Sequence, residues 1–477
     1  MGSPSRPGRL ARSLLAVTAS LALIVGLATF AGAVRWYGLR DDGTIEDGAF
    51  GDGPVLSDQD EGKELPTGPC SERACNYLVL GSDSRAGLTE EEQEHFGTNE
   101  DIGGEQRADT VMLIHTDPAL QKAIILSFPR DLWVDIPAYG DQAAHQDKIN
   151  SAFEGGINGG GAGLMAKTVA NLTGLRIDHF LYVDLAGFQG VVDTLGGVEM
   201  CPPSYLADPE TGRIQDVLTG LDIAWGCQQM DGATALAFVR TRHLPCDNIP
   251  DFSRIGRQQQ FLRALFTQML RPEKVAQAPT LVSPVLRNLR RDPEFLPGDL
   301  VYLVGQMRGL TTGAAEFRAV PGTAGWEGSL SVVHMDPSAS QIFAAIRDGR
   351  PISDVGIDLV GVPKSPANIP VAVIDANSGG TAAGVQTDLG NSGFDVSPGL
   401  WTADQVPDGV KGTRIVYAPG HDEEVSVLAA YLPGVKVVES AKLKDVGVAV
   451  VITGAYEPPA PGDGGTGGTT QCPAVAT

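Results

Sequence analysis

Hydrophobic and polar positions change period several times along this chain, and each change marks an element. The first block, Ser13 to Val34, reads SLLAVTASLALIVGLATFAGAV and carries no charge. It is long enough to span a bilayer core, which takes about 20 apolar residues. From Arg40 to Pro69 the chain is acidic and Gly-rich with few large apolar residues, a pattern that predicts a flexible linker. Order is expected from Cys75. Asn76 to Gly81, Thr110 to Thr116 and Ala123 to Phe128 are apolar runs of strand length. The acidic stretch Leu88 to Glu105 between the first two reads as a solvated loop.

Helix and strand signals then alternate, which predicts an α/β class. Leu164 to Leu172 is helical, His179 to Val183 a strand, and Ala186 to Leu195 a helix stopped by Gly196-Gly197. Val198 to Met200 begins another strand. Phe252 to Leu270 places Phe252, Ile255, Phe261, Leu262, Leu265 and Phe266 on one stripe, the spacing of an amphipathic helix. Leu300 to Leu310 is expected to be helical, and Ala315 to Val333 to form paired strands. After a Pro/Gly-punctuated boundary, 351–368, a smaller α/β pattern occupies 369–457. Its strands are Ile369 to Asp375, Arg414 to Tyr417 and Val448 to Ile452, with helices near Ala382 and over Glu423 to Tyr431. Residues 458–477 form a Pro/Gly/Thr-rich tail.

Charge orients this plan. Arg6, Arg9 and Arg12 precede the apolar block, and no acid occurs among the first 40 residues. Residues 1–12 are therefore expected in the cytoplasm, 13–35 in the membrane, and everything from the 36–69 linker onward outside. Ala31-Gly32-Ala33 also fits a signal-peptide cleavage site; the length of the block favours a retained anchor, and either reading exports the chain. A net charge of −23 argues against nucleic-acid binding, which needs cations to neutralise phosphates. Six cysteines in an exported chain point to disulfides. Cys201 with Cys227 is the favoured pair, Cys70 with Cys75 a weaker one; Cys246 and Cys472 stay unassigned.

Familiar catalytic motifs are missing. There is no H-E-x-x-H and no G-x-S-x-G, and the glycine-rich stretch Gly155 to Gly163 lacks the Lys-Ser/Thr ending of a P-loop. The arginines stand out instead. Arg85 and Arg130 follow strands, and Arg107 precedes one. Arg240 and Arg242 are two apart and would share a face if extended. Arg254 and Arg257 fall in the first turns of the long helix, where Asp251 would be the cap and Gln258 shares a face with Arg254. Cations at a helix N-terminus oppose its dipole unless an anion binds there too. Asp83 and Asp109 suit a hard divalent cation that bridges phosphate oxygens. Together these residues suggest a pyrophosphate site; ordinary ion pairing with neighbouring acids is the plainer reading of any one arginine alone.

The strings LGSDSR (80–85), RADTVMLI (107–114), SFPRDLW (127–133), KINSAF (148–153), ALAFVRTRH (235–243) and DFSRIGRQQQFL (251–262) occur in this order and resemble the LytR-CpsA-Psr family. The resemblance covers roughly 76–348, and 369–455 is similar to the LytR C-terminal domain. It implies a catalytic domain over 70–350, built as a central mixed sheet flanked by helices, outside a membrane crossed once. It further implies transfer of a glycopolymer from a polyprenyl-pyrophosphate carrier to peptidoglycan, leaving a phosphodiester, with Mg²⁺ (or Mn²⁺) as cofactor. By motif, Arg107, Arg130, Arg240, Arg242 and Arg254 match the pyrophosphate-binding arginines and Gln258 a polar partner. Asp83 and Asp109 match the metal-associated aspartates. Arg85 and Arg257 fit the same electrostatics. The prenyl tail calls for an apolar groove, with Phe261, Leu262 and Leu265 as candidate liners or ordinary core. Two insertions, the acidic loop after Asp83 and Leu244 to Pro250, depart from the shortest family pattern. A lipid-pyrophosphate hydrolase and a non-enzymatic envelope regulator or lipid-glycan binding module are the alternatives. Asp109 and Asp131 are both candidates for the general base.

Overall fold

The computed structural model describes residues 54–61, 67–83, 108–153, 161–352 and 369–453, less short intervals within the last three spans. Strands β1 (Cys75–Ser82), β2 (Ala108–Asp117) and β3 (Lys122–Phe128) form an antiparallel meander. A hairpin of β4 (Trp133–Ile136) and β5 (His145–Lys148) follows, then helix α1 (Gly161–Thr173), β6 (His179–Val183) and α2 (Leu185–Thr194). Next come β7 (Val198–Met200), the hairpin β8 (Arg213–Asp216) and β9 (Leu221–Ala224), and β10 (Gln228–Met230). Helices α3 (Gly232–Arg240), α4 (Pro250–Met269), α5 (Pro272–Ala276) and α6 (Ala278–Arg287) lead to β11 (Arg290–Arg291) and α7 (Pro297–Gln306). The domain ends with β12 (Ala315–Ala319), β13 (Gly322–Glu327), β14 (Leu330–Met335) and α8 (Ala339–Arg347).

The central sheet runs β11-β6-β1-β2-β3-β12. It is mixed: β1 is parallel to β6 and β3 to β12, while the other neighbours are antiparallel. Side chains alternate between its faces with the period of two that a strand imposes. Tyr77, Met112 and Ile114 join one core with residues of α2, α3, α4, α6 and α7. Leu78, Leu80, Val111 and Leu113 join a second core with α1 and α8. Both faces are covered, and so β1 reads as a continuous apolar run. The class is α/β with helices on both sides of a mixed sheet.

A second, smaller sheet follows. It contains β15 (Pro370–Asp375), β16 (Asp395–Val396), β17 (Trp401–Thr402), β18 (Arg414–Tyr417), β19 (Lys436–Glu439) and β20 (Val448–Ile452). The order is β16-β15-β20-β18-β19, with β17 also on β15. Helix α9 (Thr381–Asn391) packs Ala382, Val385 and Leu389 against Val371, Val373 and Val450.

Several expectations need correction. The linker is not free as far as Pro69. Val55 pairs with Ile177 ahead of β6, and Ser57 is buried. Asp58 exchanges hydrogen bonds with Asn171, and Lys167 on α1 binds Asp58 at 2.8 Å, Glu61, and the Leu56 carbonyl oxygen at 2.9 Å. Few apolar residues suffice here because Ser57, Asp58, Asp60 and Glu61 all find partners. The region 315–333 is not one set of paired strands either. β12 leaves to flank β3 in the central sheet, while β13 pairs with β14, which runs on to Met335. The helix expected from Leu300 begins at Pro297, a residue suited to a first helical turn. Disulfides join Cys201 to Cys227, across the paired ends of β7 and β10, and Cys70 to Cys75, whose Cα atoms are 5.5 Å apart. Cys246, Cys472, the 351–368 boundary except Ile352, and the proposed spanning segment 13–35 lie outside the described residues. Among the described residues no helix is long and apolar enough to cross a membrane.

Candidate functional site

The site lies where β1, β2 and β3 reach one end of the sheet. Gly81 faces Thr110, but Ser82 faces Ala108, so Asp109 is an extra residue on β2, a β-bulge. Bulges kink a strand and re-aim its side chains. A Cβ on Gly81 would stand 3.0 Å from that of Thr110, so glycine leaves Thr110 its place. Gln258 on α4 donates from Nε2 to the Thr110 hydroxyl at 2.8 Å, tying the helix to the strand beside the bulge.

Three guanidiniums converge on Asp109. Arg130, just past β3, donates from Nη1 to Oδ1 at 2.7 Å; Arg242 Nη2 is 3.6 Å away and Arg254 Nη1 3.9 Å. Arg240, the last residue of α3, lines the same space, and so does Asp83 after β1. Like charges at 4 Å repel by about 4 kcal/mol at an effective dielectric of 20. Four guanidiniums against the carboxylates of Asp83, Asp109 and Asp184 leave one positive charge over. The third lining carboxylate, Asp184, accepts from Gly187 N at 2.8 Å as the cap of α2. The balance favours an anion, and planar guanidiniums suit phosphate oxygens in particular.

From these groups the pocket, about 440 Å³ in all, continues with an apolar lining between the sheet and helices α2, α3, α4, α6 and α7. Val79, Met112 and Ile114 form its sheet wall; Phe261, Leu262 and Leu265 on α4 face it. These three residues, which the sequence leaves between groove and core, serve both roles: Phe261 and Leu265 are buried and still line the cavity. An apolar chamber with a few convergent polar groups at one end is the usual form of a ligand site.

Among the described residues no cluster of three or more His, Cys, Asp or Glu side chains could hold a metal by itself. Asp83 and Asp109 supply two carboxylates, a number that suits Mg²⁺ when substrate phosphates and water complete its shell.

Some expectations are redirected. Helix α4 starts at Pro250, so Asp251 is its second residue and not the cap, and Arg254 and Arg257 lie beyond the first turn. Their placement therefore does not depend on the helix dipole. Arg257 does not line the cavity. It is buried and donates from Nη2 to the Thr241 carbonyl oxygen at 2.5 Å. Arg240 and Arg242 meet because the chain leaves the helix at Thr241, whose ψ is 147°, and not because both lie on a strand. Asp131 does not line the cavity either; Lys148 of β5 binds it at 2.9 Å. Arg85 and Arg107 lie outside the described residues. Thr110 and Asp184 are site residues that sequence reasoning missed; only the bulge and the helix cap reveal them.

Comparison with known proteins shows the family. The LytR_cpsA_psr family matches residues 56–347, and the family described as LytR cell envelope-related transcriptional attenuator matches 368–456. The chain belongs to the LytR-CpsA-Psr family. It is 42% identical over 197 residues to the probable cell wall biosynthesis protein LcpB of Corynebacterium glutamicum, covering 41% of this chain and 42% of that relative's length. It is 25% identical to the cell wall biosynthesis protein LcpA of the same species, over 83% of this chain and 80% of the relative. It is 31% identical to the polyisoprenyl-teichoic acid–peptidoglycan teichoic acid transferase TagU of Oceanobacillus iheyensis, over 54% of this chain and 71% of the relative. The crystal structure of B. subtilis TagV aligns with a TM-score of 0.46 and 21% identity, covering 58% of this chain and 97% of that one.

Proposed function

We propose that this protein transfers a glycopolymer from a polyprenyl-pyrophosphate carrier to a peptidoglycan hydroxyl. One observation carries the reading: a largely apolar cavity is continuous with a cluster of four arginines and three aspartates. An apolar chain ending in a pyrophosphate has that pattern of surface. A pyrophosphate diester carries two negative charges, and a lining with more guanidiniums than carboxylates attracts them. The names of the relatives LcpA and TagU support the same kind of process.

In this reading the prenyl chain lies along Val79, Met112, Phe261 and Leu265. Arg130, Arg240, Arg242 and Arg254 hold the pyrophosphate oxygens and stabilise charge on the leaving phosphate. Arg107 and Arg85 keep the roles that the motif implies. Asp109 gathers three of the arginines, and Gln258 holds the strand end against α4. The acceptor hydroxyl attacks the phosphorus that bears the sugar. A new P–O bond forms to the acceptor, the pyrophosphate P–O bond breaks, and polyprenyl phosphate leaves. Asp83 and Asp109 would hold Mg²⁺, which would supply charge neutralisation at the phosphates. Asp131 is paired with Lys148 and with Arg130 Nε at 3.4 Å and does not line the cavity, so this reading gives the acceptor proton to Asp83 or Asp109. Residues 13–35 hold the chain in the cell membrane with the site outside.

The test incubates the full chain with lipid-linked glycan, Mg²⁺ and peptidoglycan fragments. Phosphodiester-linked product is expected. Free polymer with no linked product would replace transfer by hydrolysis, and tight binding without turnover would leave a binding protein.

A further inference from the structure

The tip of the β8–β9 hairpin holds two apolar side chains in solvent. Val217 is 95% exposed and Leu218 76%. Single exposed apolar residues are common on protein surfaces. This pair differs in how it is held. Asp216, itself 4% exposed, accepts the Leu218 N–H on Oδ1 at 2.9 Å, and its carbonyl oxygen accepts the Thr219 N–H at 3.2 Å. Its Oδ2 accepts the buried hydroxyl of Thr241. One carboxylate thus clips the turn to the residue between Arg240 and Arg242. Gly220, at φ 73°, closes the turn in a backbone conformation that favours glycine. The tip is a preformed wedge and not a loose loop.

Its position suggests what it meets. Thr219, the next residue, lines the same pocket as the arginines, and Asp216 is bonded to Thr241 between two of them. The wedge therefore stands beside the opening through which an apolar chain with a charged end would enter. We propose that Val217 and Leu218 dip into the lipid bilayer and seat the cavity mouth on the membrane surface. This rests on the lipid-carrier reading of the cavity. A chain of net charge −23 gains little from electrostatic attraction to an anionic lipid surface. Insertion of apolar side chains gives it contact with the membrane that does not depend on charge. A rigid tip also loses little conformational entropy on insertion. The clip couples this contact to the site: the hairpin that touches lipid is bonded to the segment that carries two of the mouth arginines.

The test uses the full chain in phosphatidylglycerol–phosphatidylethanolamine vesicles with brominated acyl chains. Background is reduced with Trp36→Phe and Trp326→Phe. A reporter is placed at the tip by Leu218→Trp, and a control by Leu296→Trp. Leu296 is 46% exposed and follows Phe295, which packs on Tyr77 and His179 at the opposite end of β1 and β6. That end is roughly 20 Å from Asp83 along the strand. The expected result is a blue shift and bromine quenching at 218, retained in high salt, with neither change at 296. No quenching at 218, or equal quenching at both positions, overturns the proposal. Loss of donor turnover in a chain that keeps quenching at 218 would count against the transfer reading instead.

Discussion

Arg257 donates a hydrogen bond from Nη2 to the carbonyl oxygen of Thr241, 2.5 Å away, and so braces the turn that separates Arg240 from Arg242. The guanidinium is buried and does not line the cavity, so its contribution passes through the two arginines it positions. A hydrogen bond from a charged donor contributes about 1.5–3 kcal/mol, or roughly ten- to a hundredfold in rate if that energy holds the mouth in shape. Arg257→Ala is expected to lower turnover by that factor, and Arg257→Lys to restore part of it. A folded Arg257→Ala chain with unchanged kinetics would rule the brace out.

Asp109 holds Arg130, Arg242 and Arg254 together against their mutual repulsion. Asp109→Asn keeps the shape and removes the charge. Turnover is expected to fall by a hundredfold or so, about 2.7 kcal/mol, with the fold retained by circular dichroism. Full activity in Asp109→Asn would show that the carboxylate is dispensable both for arginine placement and for any metal.

Mouth and cavity can be separated. Leu265→Trp fills part of the apolar space without touching the arginines. Excluding on the order of 100 Å² of tail surface costs about 2.5 kcal/mol, a loss of roughly seventyfold in affinity for a long-chain prenyl pyrophosphate. Binding of inorganic pyrophosphate is expected to stay the same. Equal weakening of both ligands in calorimetry would mean that the cavity does not hold the tail.

The segment 54–61 is part of the folded unit. A chain trimmed to begin at residue 70 loses the Val55–Ile177 pairing, the buried Ser57, and the partners of Lys167. Its melting temperature is expected to drop by several degrees, at roughly 2–4 °C per kcal/mol for a domain this size. Lys167→Ala alone removes contacts to exposed carboxylates and is expected to do much less. Identical melting of the trimmed and full extracytoplasmic chains would show the docking to be energetically idle.

His115 makes stability depend on pH. It lies within β2, its Nδ1 2.8 Å from the Asn76 side-chain oxygen, and burial pushes its pKa down to about 4, against a smaller opposing pull from Asp117. The folded pKa lies below the unfolded one, so the unfolded chain takes up the proton first. The stabilisation is complete above the ordinary value near 6.5 and is lost as pH falls from there towards 4. The loss is on the order of 3 kcal/mol. Melting scans between pH 7 and pH 4 are expected to show a smaller acid shift for His115→Gln than for the unsubstituted chain; an equal shift would assign the acid sensitivity to other groups.

The residue order alone determined the class, the three meander strands and nearly all the mouth residues. Strand alternation and helical stripes are local, so Asn76 to Gly81 and Phe252 to Leu270 announce themselves within a few residues. The motif strings name Asp83, Asp109, Arg130, Arg240, Arg242, Arg254 and Gln258, and all seven line one space. Tertiary structure decided what each does there. Arg257 carries the same charge and lies three residues from Arg254, yet a single turn of helix sends it to Thr241 and not to the cavity. Asp109 reaches its arginines through a register slip that depends on β1 pairing with β2 across 108–117. The docking of 54–61 depends on partners more than a hundred positions away on α1. Periodicity records which side of an element is apolar. It carries no information about which distant backbone oxygen or carboxylate will meet a given guanidinium once the elements pack.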